Sequence, residues 1–198
     1  MLSERAEGLS PERMEQYRRV EQCLAGVARA EITTMHYGEL ASVAADATVL
    51  SGSTDPWASH DPGALERLRH DLREHPGPIL GICAGMQLLA TAAGAEIGAA
   101  DAATGPAFAP VDVLDDSDLL AGLDGRFSVW QHHSDEVRTP PPGFRVLARS
   151  ETCPVEALGA DERPWWGTQF HPEAWSDEHP AGRTILENFF RLAGVPLR

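Results

Sequence analysis

A cysteine lies between small residues in the segment Gly81–Gln87 (GICAGMQ), directly after the apolar run Pro78–Leu80. The helix-like segment Met86–Ala93 follows, so a strand, a tight turn and a helix succeed one another. This order is typical of a nucleophile elbow, in which the turn exposes the nucleophile at the end of a sheet. A helix that begins just after Cys83 favours its thiolate. The segment therefore predicts a nucleophile, although a buried structural cysteine would also fit these residues.

A candidate base and its orienting group lie late in the chain, in Gly167–Glu173 (GTQFHPE). His171 and Glu173 are two residues apart, so in an extended backbone both side chains leave the same face. Pro172 favours that extended conformation at His171. The carboxylate can then hold the imidazole in one tautomer while its other nitrogen faces a thiol. We therefore predict a catalytic triad of Cys83, His171 and Glu173.

Together the two segments resemble the signatures of triad-type (class I) glutamine amidotransferases, G-x-C-x-G-x-Q and, later, G-x-Q-F-H-P-E. Both are intact and in the family's order, and the resemblance runs from about Glu31 to Leu192. It implies a flavodoxin-like three-layer α/β sandwich that hydrolyses L-glutamine to glutamate and ammonia through a thioester on Cys83. It implies no cofactor.

Acyl transfer also needs an oxyanion hole, usually two backbone N–H groups. One candidate is Ala84, the residue after the nucleophile. In the resembling family the other donor comes from a glycine-rich turn, and the matching stretch here is Leu50–Trp57 (LSGSTDPW). Gly52 is its only glycine, and Ser53 follows where the family usually has a second glycine or a proline. We predict that Gly52 and Ser53 form the second donor region, the alternative being an ordinary turn after a strand.

Four further residues are predicted to bind substrate. Gln87 lies one helical turn after Cys83 and can face the same pocket; by resemblance it holds the α-amino acid end of glutamine. By resemblance, too, the backbone of His133, Ser134 and Asp135 meets bound glutamine. The histidines and Cys83 match no zinc-ligand spacing, so we expect no metal.

Composition excludes several other functions. The net charge of −14 argues against nucleic acid or an anionic membrane as a partner. Lysine is missing, which removes a Walker-type phosphate loop and Schiff-base chemistry. Three scattered cysteines suit a reducing compartment, and no segment looks like a signal peptide or membrane span. We therefore expect a cytoplasmic protein.

The elements that must position these residues alternate between strands and helices in the first half of the chain. Strands are expected at Glu31–Tyr37 and Ala47–Leu50, and helices begin at Ser10-Pro11 and Asp61-Pro62. From Ala95 to Glu162 the pattern changes to short β-like pieces. The fold class is therefore α/β, with a mainly parallel sheet flanked by helices and additional short antiparallel strands, in one domain over residues 1–198.

One feature departs from the resembling family, whose members usually begin with an apolar strand. Met1–Leu9 is too polar for a central strand, so the usual first strand is apparently absent. This clade could lack the strand, a partner chain could supply it, or the true start could lie upstream.

The leading functional prediction is a glutamine amidotransferase subunit. Because no synthase segment is recognisable in the chain, an ammonia-accepting synthase or synthetase partner is implied. The alternatives are a stand-alone γ-glutamyl hydrolase acting on γ-glutamyl amines or peptides with the same triad, and a catalytically silent regulatory or binding subunit. The segment around His133 to Asp135 favours, slightly, the subunit type that serves GMP synthetase.

Overall fold

A computed structural model describes residues 11–36, 45–53 and 55–198. Within these ranges, four α-helices and seven strands form the secondary structure, together with short 3₁₀ turns. The helices are α1 (Pro11–Val27), α2 (Pro62–Glu74), α3 (Ala84–Ala92) and α4 (Ala181–Leu192). The strands are β1 (Thr48–Leu50), β2 (Ile79–Ile82), β3 (Ile97–Val113), β4 (Arg126–Val137), β5 (Phe144–Arg149), β6 (Ala157–Ala160) and β7 (Trp165–Thr168).

The seven strands form one mixed sheet in the order β1-β2-β7-β6-β5-β3-β4. Parallel pairing joins β1 to β2 and β2 to β7, and the remaining neighbours are antiparallel. The expected α/β sandwich with additional antiparallel strands is confirmed. Its parallel part is the three-strand end of the sheet, where the two signature segments lie at the carboxyl ends of β2 and β7.

The strands of that end bury side chains on both faces, which explains their continuous apolar sequences. Leu80, Ile82 and Trp166 belong to a core cluster that includes residues of α1 and α4. Ile79 and Trp165, each one position away, pack in the cluster formed with α2 and α3. This alternation produces the three layers.

The predicted helix after Asp61 is confirmed. The Asp61 carboxylate accepts a hydrogen bond from the N–H of Gly63 at 2.8 Å and caps α2. Leu65, Leu68 and Leu72 are buried, as their spacing predicts. The closing helix α4 starts three residues earlier than expected and is followed by Gly194, which has a φ of 72°.

Two expectations about strands are wrong. Residues 31–36 have no regular secondary structure, because no described strand pairs with them (Tyr37 lies outside the described residues). In place of short pieces, β3 and β4 form a long antiparallel ribbon with two register shifts. Much of β3 is alanine, glycine and proline, residues with weak strand propensity, so the sequence hides its length.

The question of a missing first strand falls on Met1–Leu9, which lies outside the described residues. No helix in the described part of the chain is long and apolar enough to cross a membrane.

Candidate active site

The turn between β2 and α3 has the geometry of a nucleophile elbow. Cys83 has φ 53° and ψ −111°, a strained conformation for a residue with a side chain. The flanking glycines permit this turn because a Cβ on Gly81 would lie 2.6 Å from the backbone of Gly85. A Cβ on Gly85 would lie 2.1 Å from the carbonyl oxygen of Leu50. The glycines therefore bring β1, β2 and α3 into contact around the cysteine.

Backbone contacts fix Cys83 between the sheet and the helix. Its N–H donates to the carbonyl of Thr168 at 2.7 Å, which ties it to the end of β7. Its carbonyl accepts from the N–H of Gln87 at 3.0 Å, so Cys83 is the N-cap of α3. The sulfur thus lies at a helix N-terminus, where the helix dipole stabilises negative charge.

His171 and Glu173 lie just after β7, the neighbour of β2. His171 has φ −103° and ψ 90°, the extended conformation that Pro172 predicts. The Nδ1 atom of His171 lies 2.8 Å from Oε1 of Glu173, and the His171 N–H donates to the carbonyl of Trp130 at 2.9 Å. The carboxylate therefore orients the imidazole while β4 holds its backbone.

The electrostatics of His171 favour its protonated form. Burial alone would lower the pKa of the imidazole, but the Glu173 carboxylate and the Cys83 side chain outweigh it and raise the pKa well above its ordinary value. The Cys83 contribution includes a side-chain hydrogen bond to the ring. The structure thus brings all three predicted triad residues together and makes His171 a strong proton acceptor.

Gly52 lies against both the nucleophile and the base. A Cβ at this position would be 3.0 Å from Cε1 of His171 and 3.4 Å from Cβ of Cys83. The Ser51 hydroxyl donates to the Gly52 carbonyl at 3.2 Å and so favours one orientation of the peptide between Gly52 and Ser53. The backbone of Gly52, Ser53 and Ala84 therefore surrounds the nucleophile, as an oxyanion hole requires.

Gln87 is buried, and its side-chain amide makes three hydrogen bonds within the protein. Its oxygen accepts from the Trp57 indole N–H at 2.8 Å. Its nitrogen donates to the Asp135 carbonyl at 2.7 Å and to Oε1 of Gln169 at 3.1 Å. A direct contact of Gln87 with substrate remains a prediction. What the structure adds is that this side chain connects the Gly52 turn, β4 and the strand end that carries His171.

The three predicted residues on β4 have different surroundings. Ser134 is exposed and Asp135 is partly buried, and both follow His132, whose carbonyl lies 3.9 Å from the Cys83 sulfur. The His133 side chain is buried, because alternation along β4 turns it to the opposite face. Burial lowers the pKa of His133, against a raising contact with the Asp135 backbone. Only the backbone of His133 can therefore face substrate.

These features can be compared with known proteins. The family model "Glutamine amidotransferase class-I" matches residues 18–193. The chain belongs to this family. It is 42% identical over 132 residues to the smaller, glutamine-hydrolyzing GMP synthase chain of Pyrococcus furiosus, covering 67% of this chain and 69% of that protein.

Two further relatives of this glutamine amidotransferase are informative. The one-chain glutamine-hydrolyzing GMP synthase of Thermus thermophilus is 42% identical over 152 residues, which cover 75% of this chain and 28% of that protein. A provisionally assigned GMP synthase subunit from Thermoplasma acidophilum has a solved structure. It superposes with a TM-score of 0.79 at 27% identity, over 93% of this chain and 89% of that one.

Gln169 is a residue of the site whose part the sequence analysis missed. Its amide nitrogen donates to the Cys83 sulfur at 3.6 Å, and its oxygen accepts from Gln87. The signal was available, since Gln169 and His171 are two residues apart in the same signature. Trp57 gave no comparable signal, because its contact with Gln87 joins positions 30 residues apart.

Proposed function

We propose that this chain is the glutamine-hydrolysing subunit of a two-chain enzyme and passes ammonia to a separate synthetase of the GMP-forming type. The alignment lengths support this assignment. The matching region covers 69% of the Pyrococcus subunit but only 28% of the one-chain Thermus enzyme. The rest of the reaction would therefore require another polypeptide, acting in the cytoplasm as the cysteines suggest.

The observation that carries the chemistry is the contact of Cys83 with a His171 imidazole that Glu173 orients. In the first half-reaction, His171 accepts the thiol proton and the sulfur attacks the side-chain carbonyl carbon of glutamine. The negative charge that develops on the carbonyl oxygen is received by the N–H of Ala84 and the turn at Gly52. His171 then donates its proton to the leaving nitrogen, so the C–N bond breaks and ammonia departs.

The second half-reaction releases glutamate. His171, now neutral, takes a proton from water, and the resulting hydroxide attacks the thioester carbonyl. The C–S bond breaks, and the Cys83 sulfur leaves with the proton returned by the imidazole. Glu173 transfers no proton, because its part is to hold the Nδ1–H tautomer and stabilise the imidazolium.

The turn at Gly52 gives the partner a place to control this reaction. The Ser51 hydroxyl holds the Gly52 carbonyl, and Ser53 disfavours the positive φ that a rotated peptide requires. We therefore expect the isolated chain to populate a complete oxyanion hole rarely. Docking of the synthetase next to Trp57 would then supply the free energy for the rearrangement.

The test measures glutamate release by the purified chain, alone and with a GMP-forming synthetase chain and its nucleotide substrates. We expect stimulation within the usual range of allosteric coupling, about 5- to 150-fold. The Cys83→Ser variant, the matched control, should release no glutamate in either condition. Full activity without partner, together with turnover of γ-glutamyl amines, would contradict the proposal and identify a stand-alone hydrolase.

A further inference from the structure

A second cluster of reactive side chains lies behind the active site, buried on the other face of β4. It consists of His133 on β4, and Cys153 and Glu156 in the segment between β5 and β6. One ligand-type atom from each residue lies within 4.8 Å of the others. All three residues are at least nine-tenths buried. None of them takes part in the mechanism described above.

Several polar atoms of this cluster have no partner among the described residues. Neither ring nitrogen of His133 has a hydrogen bond of good geometry, nor has Oε2 of Glu156. The other Glu156 oxygen accepts from the Gln131 amide at 2.8 Å, and the Cys153 thiol donates to the Val155 carbonyl at 3.4 Å. Buried polar atoms without partners are rare in native proteins. Here they converge on one point, which is the arrangement that a bound cation would satisfy.

The types of these side chains identify the class of cation. Imidazole, thiolate and carboxylate together suit Zn²⁺ and similar transition metals, whereas Ca²⁺ and Mg²⁺ prefer oxygen ligands. In a tetrahedral zinc site the ligand atoms are about 3.3–3.6 Å apart, so these three would have to close by about 1 Å. The buried Glu136 side chain contacts the Cys153 thiol and could complete four ligands.

We propose that His133, Cys153 and Glu156 form a closed structural site for Zn²⁺ or a chemically similar divalent transition metal. Such a site would stabilise the backbone that forms the catalytic pocket. His133 lies between His132, whose carbonyl faces Cys83, and Asp135, whose carbonyl binds Gln87. The Glu156 carbonyl also accepts from the N–H of Gln169 at 2.7 Å. The metal would thus join two segments that meet at the nucleophile.

The sharpest test uses the double variant Cys23→Ser, Cys83→Ser, in which Cys153 is the remaining thiol. Titration of the full-length variant with Co²⁺ should produce a sulfur-to-cobalt charge-transfer band, saturating at about one ion per chain. Zn²⁺ should displace the Co²⁺ and abolish the band. A hundredfold excess of Zn²⁺ over its dissociation constant should raise the melting temperature by about 5–10 °C.

Two single variants and the wild type complete the experiment. Cys153→Ser should lose the band, and Glu156→Gln should weaken Zn²⁺ binding by at least about tenfold, a typical effect of losing one ligand-sphere partner. If the double variant gives no band while the wild type does, the metal binds at Cys83 or Cys23 and the proposal is overturned. It is equally overturned if folded wild-type protein binds neither ion, a result that needs no variant to fold.

Discussion

Replacing Glu173 with glutamine tests the electrostatic part of the site most informatively. The change keeps the shape of the side chain but removes the charge that lies 2.8 Å from Nδ1 of His171. A hydrogen bond to a charged group stabilises by about 1.5–3 kcal/mol and a neutral one by about 1 kcal/mol. The variant therefore loses about 0.5–2 kcal/mol, which corresponds to a drop in kcat/KM of about 2- to 30-fold. His171→Ala, which removes the proton carrier itself, should cost more.

The same variant should change the pH dependence in a defined direction. Glu173 raises the pKa of His171, so removing its charge must lower the apparent pKa values of the coupled Cys83–His171 pair. Both limbs of the bell-shaped profile of kcat/KM against pH should move to lower pH. Glutamate release measured across the pH range checks this, with Glu178→Gln, an exposed carboxylate on the same loop, as matched control. A shift to higher pH, or a loss as large as that of His171→Ala, would refute the reasoning.

Three further predictions concern the surroundings of the nucleophile. Ser53→Gly should raise glutamate release by the isolated chain about fivefold or more, because positive φ costs a non-glycine residue roughly 1–2 kcal/mol; an unchanged rate would show that this turn is not limiting. Gln169→Leu should lower kcat/KM about tenfold by removing the donor to the Cys83 sulfur, and a normal rate in the folded variant would exclude that role. Gly85→Ala should lower the free energy of unfolding by about 3 kcal/mol, measured by urea denaturation, because its Cβ would meet the Leu50 carbonyl. Its control, Gly26→Ala in α1, has open space around the new methyl and should be neutral or stabilising.

Local signals in the sequence predicted the parts of the fold that short-range physics determines. The elbow at Cys83 followed from glycines that only a tight turn requires, and α2 followed from the Asp61 cap and its leucine spacing. The extended backbone at His171 followed from the proline after it. Each of these features is decided within a few residues, so the sequence displays it directly.

Features that depend on pairing across the fold were missed. A β-rich sequence at residues 31–36 forms no strand because a strand also requires a neighbour, and no described one is available. The length of β3 was hidden for the opposite reason, since pairing with β4 imposes a strand on alanine- and glycine-rich residues. The cluster of His133, Cys153 and Glu156 joins distant positions on two segments, and no local spacing could have revealed it.

Chemical labelling of the three cysteines tests the central claim, that Cys83 is the nucleophile of a glutamine hydrolase, most directly. Its competitors differ sharply in environment: Cys153 is buried and burial raises the pKa of its thiol far above the ordinary value, and burial also raises the pKa of Cys23. A diazo-ketone analogue of glutamine should therefore alkylate Cys83 alone, and excess L-glutamine should protect it. Peptide mapping that places the label on Cys23 or Cys153, or finds labelling unaffected by glutamine, would contradict the account.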